Sequence, residues 1–230
     1  MSQVAWYTYD EEDASDKSGN GFHGTPSGVA WVSGLIGGAG SFSKNNSSKI
    51  TLPASNAIFT ASAPWTIACW FQWSGVHSTN GNHYITFFKD ASNPALTLYV
   101  NASALIRYIY HNGSTTAIRT IGTATAGVWY HATLTYDGTT YSYYHNGTLA
   151  DSVTATFSGF GSAAAIIGNY TATATTRWWN GLLDDVRFHS GVMPVEEILA
   201  IVNHGRGTAE LEPWQRTIQP VARKLILPAA

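Results

Sequence analysis

The chain has 230 residues, of which 11% are charged and 13% are Phe, Trp or Tyr, and its formal net charge is −2. Soluble proteins ordinarily carry about 25% charged residues and disordered chains carry few aromatics, so this sequence folds, with small polar residues standing where charge is missing. The near-neutral balance offers no electrostatic grip on nucleic acid, and no run of 18 apolar residues encodes a membrane span. The one cysteine, Cys69 in WTIACWFQW, rules out an internal disulfide framework and is expected to be a buried, inert thiol.

In chain order, period-two runs of β-branched and aromatic residues predict strands over 4–9, 29–33, 40–43, 49–53, 65–73, 83–89, 96–101 and 105–111. They continue over 116–121, 128–137, 141–146, 148–155, 164–169 and 181–189. Many short strands at this spacing indicate a sandwich or barrel. Asp137-Gly138, Asn146-Gly147 and Asn112-Gly113 stand where type I′ hairpin turns want residues that tolerate positive φ. One helix is expected, MPVEEILAIVNHG (193–205), with Glu196 and Glu197 in its first turn, Gly205 past its last apolar residue, and Val195, Ile198, Leu199 and Val202 as its covering face. The opening MSQVAWYTYDEEDASD has neither a basic leader nor an apolar core, which argues against a secretory signal. From 206 to 230 the chain is Pro-punctuated, holds Arg206, Arg216, Arg223 and Lys224 and ends in an apolar run, so it reads as an extension of a domain spanning 1–205. That extension is expected to dock on the domain itself or on a partner.

Four segments carry a family resemblance: DKSGNGFHGTPSGVAWVSGLIGGAGSF (16–42), PWTIACWFQW (64–73), GVWYHATLTYDGTTYSYYHNGTL (127–149) and WNGLLDDVRFHSGVMPVEEILAI (179–201). In this order they resemble LamG-like jelly-roll domains of the concanavalin A-like lectin/glucanase superfamily. The resemblance implies an all-β fold, a two-sheet antiparallel jelly-roll sandwich with one short C-terminal helix and the extended tail. In many members it also implies a glycan- or ligand-binding role. Fold alone does not assign function, which has to be argued from sites.

Glycan-cleaving relatives need two carboxylates across a cleft, which on one strand means same-face spacing such as Glu-x-Asp-x-x-Glu. No such run occurs, and Asp184 and Asp185 are neighbours that strand alternation sends to opposite faces. There is no Gly-x-Ser-x-Gly elbow, no His/Cys metal spacing and no phosphate-cradling glycine loop before a helix. His131 is expected to be a packed or hydrogen-bonded core residue. The reading is therefore non-enzymatic.

A hard cation is the stronger candidate, since calcium takes six to eight oxygens and the loop DASDKSGNGFHG offers Asp13, Asp16, Ser18 and Asn20. The resemblance implies that such a calcium joins this loop to the last strand at Asp184, making Asp16, Asn20 and Asp184 the candidate metal ligands. The alternative is a metal-free clasp in which Asp16 closes an Asx-turn and Asp184 bonds amides of the loop. Alternation places Asp184 with Val186 and Phe188, and lets Asp185 pair with Arg187. For a glycan, exposed aromatics and polar groups are needed. The candidates are Trp73, His83, Tyr84, Tyr170, Trp178 and Trp179, against the alternative that these rings belong to the core.

Two functions are expected from this pattern. One is a glycan-binding or adhesion module, recognising a glycan or cell-surface polysaccharide. The other is a structural component of a larger assembly outside the cell, such as a phage or virus decoration, fibre or surface-layer protein. In that role residues 206–230 would contact a protein partner or another copy.

Overall fold

The computed structural model describes residues 1–43, 47–60, 64–76, 81–89, 94–111, 116–157, 159–170 and 177–206. The elements are β1 (Ser2–Tyr7), β2 (Thr25–Ser27), β3 (Ala30–Ser33), β4 (Gly38–Phe42), β5 (Lys49–Ala54), α1 (Ser55–Ile58), β6 (Trp65–Trp73) and β7 (His83–Lys89). They are followed by β8 (Pro94–Val100), β9 (Leu105–His111), β10 (Thr116–Thr123), β11 (Trp129–Tyr136), β12 (Thr140–His145), β13 (Thr148–Thr154), β14 (Ala164–Ile167), β15 (Gly181–Ser190) and α2 (Val195–Arg206). Alternation located β6, β7 and β9 to the residue. It missed β2 and α1, which are three and four residues long and too short to show a period.

Every strand pairs antiparallel, in two sheets. One runs β13-β12-β11-β6-β15-β4-β3, with β1 added along β15, and the other runs β10-β9-β8-β7-β14-β5-β2. Pro26 lies on β2, an edge strand, where a residue without an N–H is tolerated. On β6 the odd-numbered Trp65, Ile67, Cys69, Phe71 and Trp73 all enter the core between the sheets, as the two-residue period requires. Ile85, Phe88, Leu96, Leu98, Val100 and Ile106 meet them from the second sheet. Each such side chain stabilises the fold by about 1.5–3 kcal/mol when fully buried. Cys69 is buried as expected, and burial pushes its thiol up to about 12.

The outer face of β6 is covered too. Met193, Ile198 and Ile201 pack there with Tyr144, and a Cβ on Gly205 would lie 2.5 Å from the Trp70 ring. Gly205 is therefore not a helix stop: α2 runs through it to Arg206, and the missing side chain lets the helix approach Trp70. The covering stripe is Ile198, Ile201 and Val202, while Val195 is 43% exposed. His131 is fully buried under this helix side, its ring 5.0 Å from Trp70 and its Nδ1 3.3 Å from the Thr133 hydroxyl. No helix among the described residues is long and apolar enough to cross a membrane.

The hairpin turns split. Asn146 and Gly147 both take positive φ, 51° and 83°, as a type I′ turn demands. At the other hairpin only Gly138 does, because Asp137 Oδ1 instead accepts the N–H groups of Thr139 and Thr140 at 2.7 and 2.8 Å. The Asn112-Gly113 turn and residues 207–230 lie outside the described residues.

Candidate functional site

The carboxylate pair on β15 is divided, but not by simple alternation. The register between β15 and β6 shifts between Asp184 and Arg187, and Asp185 takes φ 50°. This bulge returns Leu183, Val186 and Phe188 to the core and removes Asp184 from the side of Val186 and Phe188, where strict alternation put it. Asp185 does pair with Arg187, whose Nε lies 2.9 and 3.0 Å from its two oxygens. Asp185 Oδ1 also accepts the Trp6 indole N–H at 2.6 Å, and the Arg187 guanidinium sits 4.9 Å over the Trp6 ring. The three side chains lock β1 to β15.

Asp16, Asn20 and Asp184 do not form one donor set for calcium. Asp16 Oδ1 accepts the N–H groups of Trp6 and Ser18 at 3.0 and 2.9 Å, and Oδ2 accepts the Ser18 hydroxyl and the Phe22 N–H at 2.9 and 3.0 Å. Burial pushes the Asp16 carboxyl up, but these donors outweigh it and hold its pKa below the ordinary 3.8. Asn20 turns its Nδ2 to the carbonyls of Gln3 and Val4, at 3.1 and 2.9 Å. Asp184 reaches a different loop altogether, where Oδ2 accepts the N–H groups of Leu35 and Ile36 at 2.9 and 2.8 Å. Among the described residues no group of three or more His, Cys, Asp or Glu side chains could hold a metal ion. The clasp between the 16–22 loop and β15 thus runs through Trp6 and Asp185. Asp184 ties down the turn between β3 and β4.

Asp184 is fully buried and its Oδ1 has no hydrogen-bond partner. Burial, with the neighbouring charges of Asp185 and Asp10, pushes its pKa up to about 7, against the donors Leu35 and Ile36. The folded state therefore holds a proton that the unfolded chain releases near 3.8, and stability from this group falls as pH rises from about 4 through 7. Asp184→Asn keeps an oxygen for the two amides and cannot ionise. The Tm difference, variant minus parent, is expected to grow by several degrees between pH 5 and pH 8; parallel Tm curves across that range would contradict the assignment.

Of the aromatic candidates, most are core residues. Trp73 and Trp179 belong to the inter-sheet core, Trp179 edge-on to Phe71 at 5.9 Å with its indole N–H on the Leu182 carbonyl at 3.3 Å. His83 is 1% exposed and lies against Trp73. Trp178 is 5% exposed beside its bridge to Asn169. Adjacency does send Trp178 and Trp179 to different surroundings, but both are covered. These four rings are not open stacking surfaces, contrary to the expectation from sequence.

Tyr84 and Tyr170 are brought together on the outer face of the seven-stranded sheet. Tyr84 on β7 stacks on Tyr99 of the paired β8, with centroids 5.1 Å apart and planes 14° apart, and Ile109 of β9 completes the cluster. Tyr170 packs edge-on against Tyr84 at 5.0 Å. Above them Arg177 lies 4.4 Å over the Tyr170 ring and 5.9 Å over Tyr84. Tyr84 and Tyr99 are each 3% exposed, whereas Tyr170 and Arg177 are part-exposed, so they form the accessible surface of a rigid aromatic base. Burial pushes the Tyr84 phenol up to about 12, keeping it a neutral hydrogen-bonding group. Arg177 holds a backbone φ of 73°, uncommon for a side-chain-bearing residue. Sequence reading missed Tyr99 and Arg177. Alternation along LTLYVN does set Tyr99 opposite to Leu98 and Val100, but nothing local marks Arg177.

Two antiparallel sheets packed over one core, with one face of the second carrying an aromatic cluster, define the class as a jelly-roll sandwich. The family profile described as the concanavalin A-like lectin/glucanases superfamily (Laminin_G_3) matches residues 44–199. The chain belongs to that superfamily. No curated protein matches the sequence. Among solved structures it is similar to domain 4 of AbnA, a GH43 extracellular arabinanase from Geobacillus stearothermophilus, in complex with arabinotriose (20% identity, TM-score 0.68, covering 87% of this chain and 98% of that one). It is also similar to the binding domain of Paraclostridial Mosquitocidal Protein 1 (15% identity, TM-score 0.71, covering 88% of this chain and 52% of that one). A third is a structure of botulinum neurotoxin type C, whose cell entry depends on interaction with two ganglioside molecules (14% identity, TM-score 0.71, covering 90% of this chain and 52% of that one). The chain thus spans about half the length of the toxin chains. At these identities the likeness is one of fold.

Proposed function

We propose that the chain is a glycan-binding, adhesion-type module that does not itself cleave sugars. The observation that carries this reading is the Tyr170–Arg177 pair, held part-exposed on the Tyr84–Tyr99 stack. An aromatic edge and face offer the C–H surface of a sugar ring a partner, and a guanidinium offers several fixed donors to its hydroxyls. The packed base removes most of the ordering cost on binding. The domain of an arabinanase that carries arabinotriose and the neurotoxin that uses gangliosides share this fold, which supports the class of ligand. The non-cleaving reading is supported by the carboxylates of Asp16 and Asp185, which are taken up by structural hydrogen bonds.

Tyr170→Ala and Arg177→Ala are each expected to weaken binding on a glycan array at least tenfold, about 1.4 kcal/mol, with Tm within a few degrees of the parent. Undiminished binding by both variants would remove this surface as the site.

The proposal extends to display on a larger particle, such as a virion or cell-surface assembly, through residues 206–230. Its support is the composition of that segment, which beyond α2 carries three basic side chains, Arg216, Arg223 and Lys224, and a terminal apolar run. Deleting 207–230 is expected to abolish incorporation into the particle while leaving Tm and glycan binding unchanged. A deletion that instead unfolds the domain would make the segment part of the fold.

A further inference from the structure

At the end of the sandwich opposite the tyrosine cluster the two sheets part. Between the start of β1, the 20–22 loop, the end of α1 and the end of β15 lies a cleft of about 340 Å³. That volume is at the lower end of ligand pockets, which span roughly 300–1,000 Å³. β15 separates the two places: Gly181 pairs with Trp73 near His83, and Ser190 pairs with Trp65 beside the cleft. Ten strand residues span about 30 Å at ~3.3 Å each. The cleft shares no residue with the tyrosine cluster.

We infer that this cleft is a second binding site, for an uncharged mono- or disaccharide unit. Among the described residues that line it, none is ionisable. A phosphate, carboxylate, sulfate or cation would find no side-chain counter-charge in this lining, which disfavours it in a partly desolvated cleft. The polar lining is instead made of hydroxyls and amides: Ser2, Gln3, Asn20, Thr60 and Ser190. Such groups both donate and accept, as sugar hydroxyls do. Ser2 and Ser190 share a 2.7 Å hydroxyl–hydroxyl hydrogen bond at the exposed rim, so one polyol hydroxyl can exchange for the other partner at little loss. Asn20 spends its Nδ2 on the Gln3 and Val4 carbonyls, which fixes the side chain and leaves the acceptor Oδ1 for a ligand. Phe22, packed against the core yet part-exposed, supplies the apolar surface that a ring's C–H face requires.

The test is an array of neutral di- and trisaccharides and their uronate or sialylated counterparts, probed with the full chain and three variants. Ser190→Phe narrows the mouth from an exposed strand end, and Gln3→Ala removes one amide. Tyr170→Ala reports on the tyrosine cluster. The expected result is two binding components for neutral saccharides in the parent: Ser190→Phe weakens one of them at least tenfold, Gln3→Ala weakens that same component less, and Tyr170→Ala removes the other. If neither cleft variant changes binding of any glycan, the site is overturned. Loss confined to Tyr170→Ala also overturns it and leaves the tyrosine cluster as the only binding surface. Equal losses for acidic and neutral glycans in Ser190→Phe overturn the uncharged class. Should Ser190→Phe fail to fold, Gln3→Ala together with amide shifts at Gln3, Asn20 and Thr60 on titrating the parent with the neutral trisaccharides decides the matter, and unmoved amides reject the site.

Discussion

Trp179→Ala is expected to destabilise the fold by about 3–5 kcal/mol, the range for emptying a buried large aromatic site. Trp179 is fully buried, packs edge-on against Phe71, and donates its backbone N–H to the Gly168 carbonyl at 2.7 Å and its indole N–H to the Leu182 carbonyl. A small aliphatic replacement leaves a cavity that the surrounding strands, hydrogen-bonded on both sides, cannot close. Against a total stability of roughly 5–15 kcal/mol for a typical domain, much of the population unfolds. Trp179→Phe retains part of the volume and is expected to lose less. Chemical denaturation with tryptophan and circular-dichroism readouts separates the two, and glycan binding per folded molecule is expected to stay unchanged. A Trp179→Ala variant with parental stability and lost binding would instead make this ring a ligand contact.

Asp185→Ala is the second large effect, again about 3–5 kcal/mol, because it breaks one half of a buried charge pair. The Asp185 side chain is 4% exposed and that of Arg187 19%. Removing the carboxylate leaves a guanidinium short of its counter-ion and deprives the Trp6 indole of its acceptor. Since Trp6 also gives its backbone N–H to Asp16, the damage extends to the register of β1 and to the 16–22 loop. The double variant Asp185→Ala/Arg187→Met is expected to recover a measurable share of the loss, because the stranded charge is then absent. Strict additivity of the two single changes in a double-mutant cycle would show that the pair is not coupled.

The two cases show how far local pattern reaches. Period-two alternation is a property of the strand itself, so β6, β7 and β9 were legible to the residue, and the four motifs in order carried the superfamily. Pairing of Asp185 with Arg187 was legible too, since residues two apart on a strand share a face. Alternation does not reveal a bulge, and the one at Asp184–Asp185 changed which loop Asp184 holds. Nor does it reveal whether a face is covered. Trp178 and Trp179 diverge as adjacent residues should, and both are buried all the same.

What the sequence alone determined, then, is the all-β sandwich, its main strands, the buried Cys69 and the pairing of Asp185 with Arg187, because these follow from composition and from spacing within one strand. Tertiary structure decided the rest. Which rings are open, which loop each carboxylate clasps, the meeting of Tyr84, Tyr99, Tyr170 and Arg177, and the neutral cleft at the far end all depend on segments distant in sequence. Their juxtaposition is set by sheet order and register, and no local period encodes it.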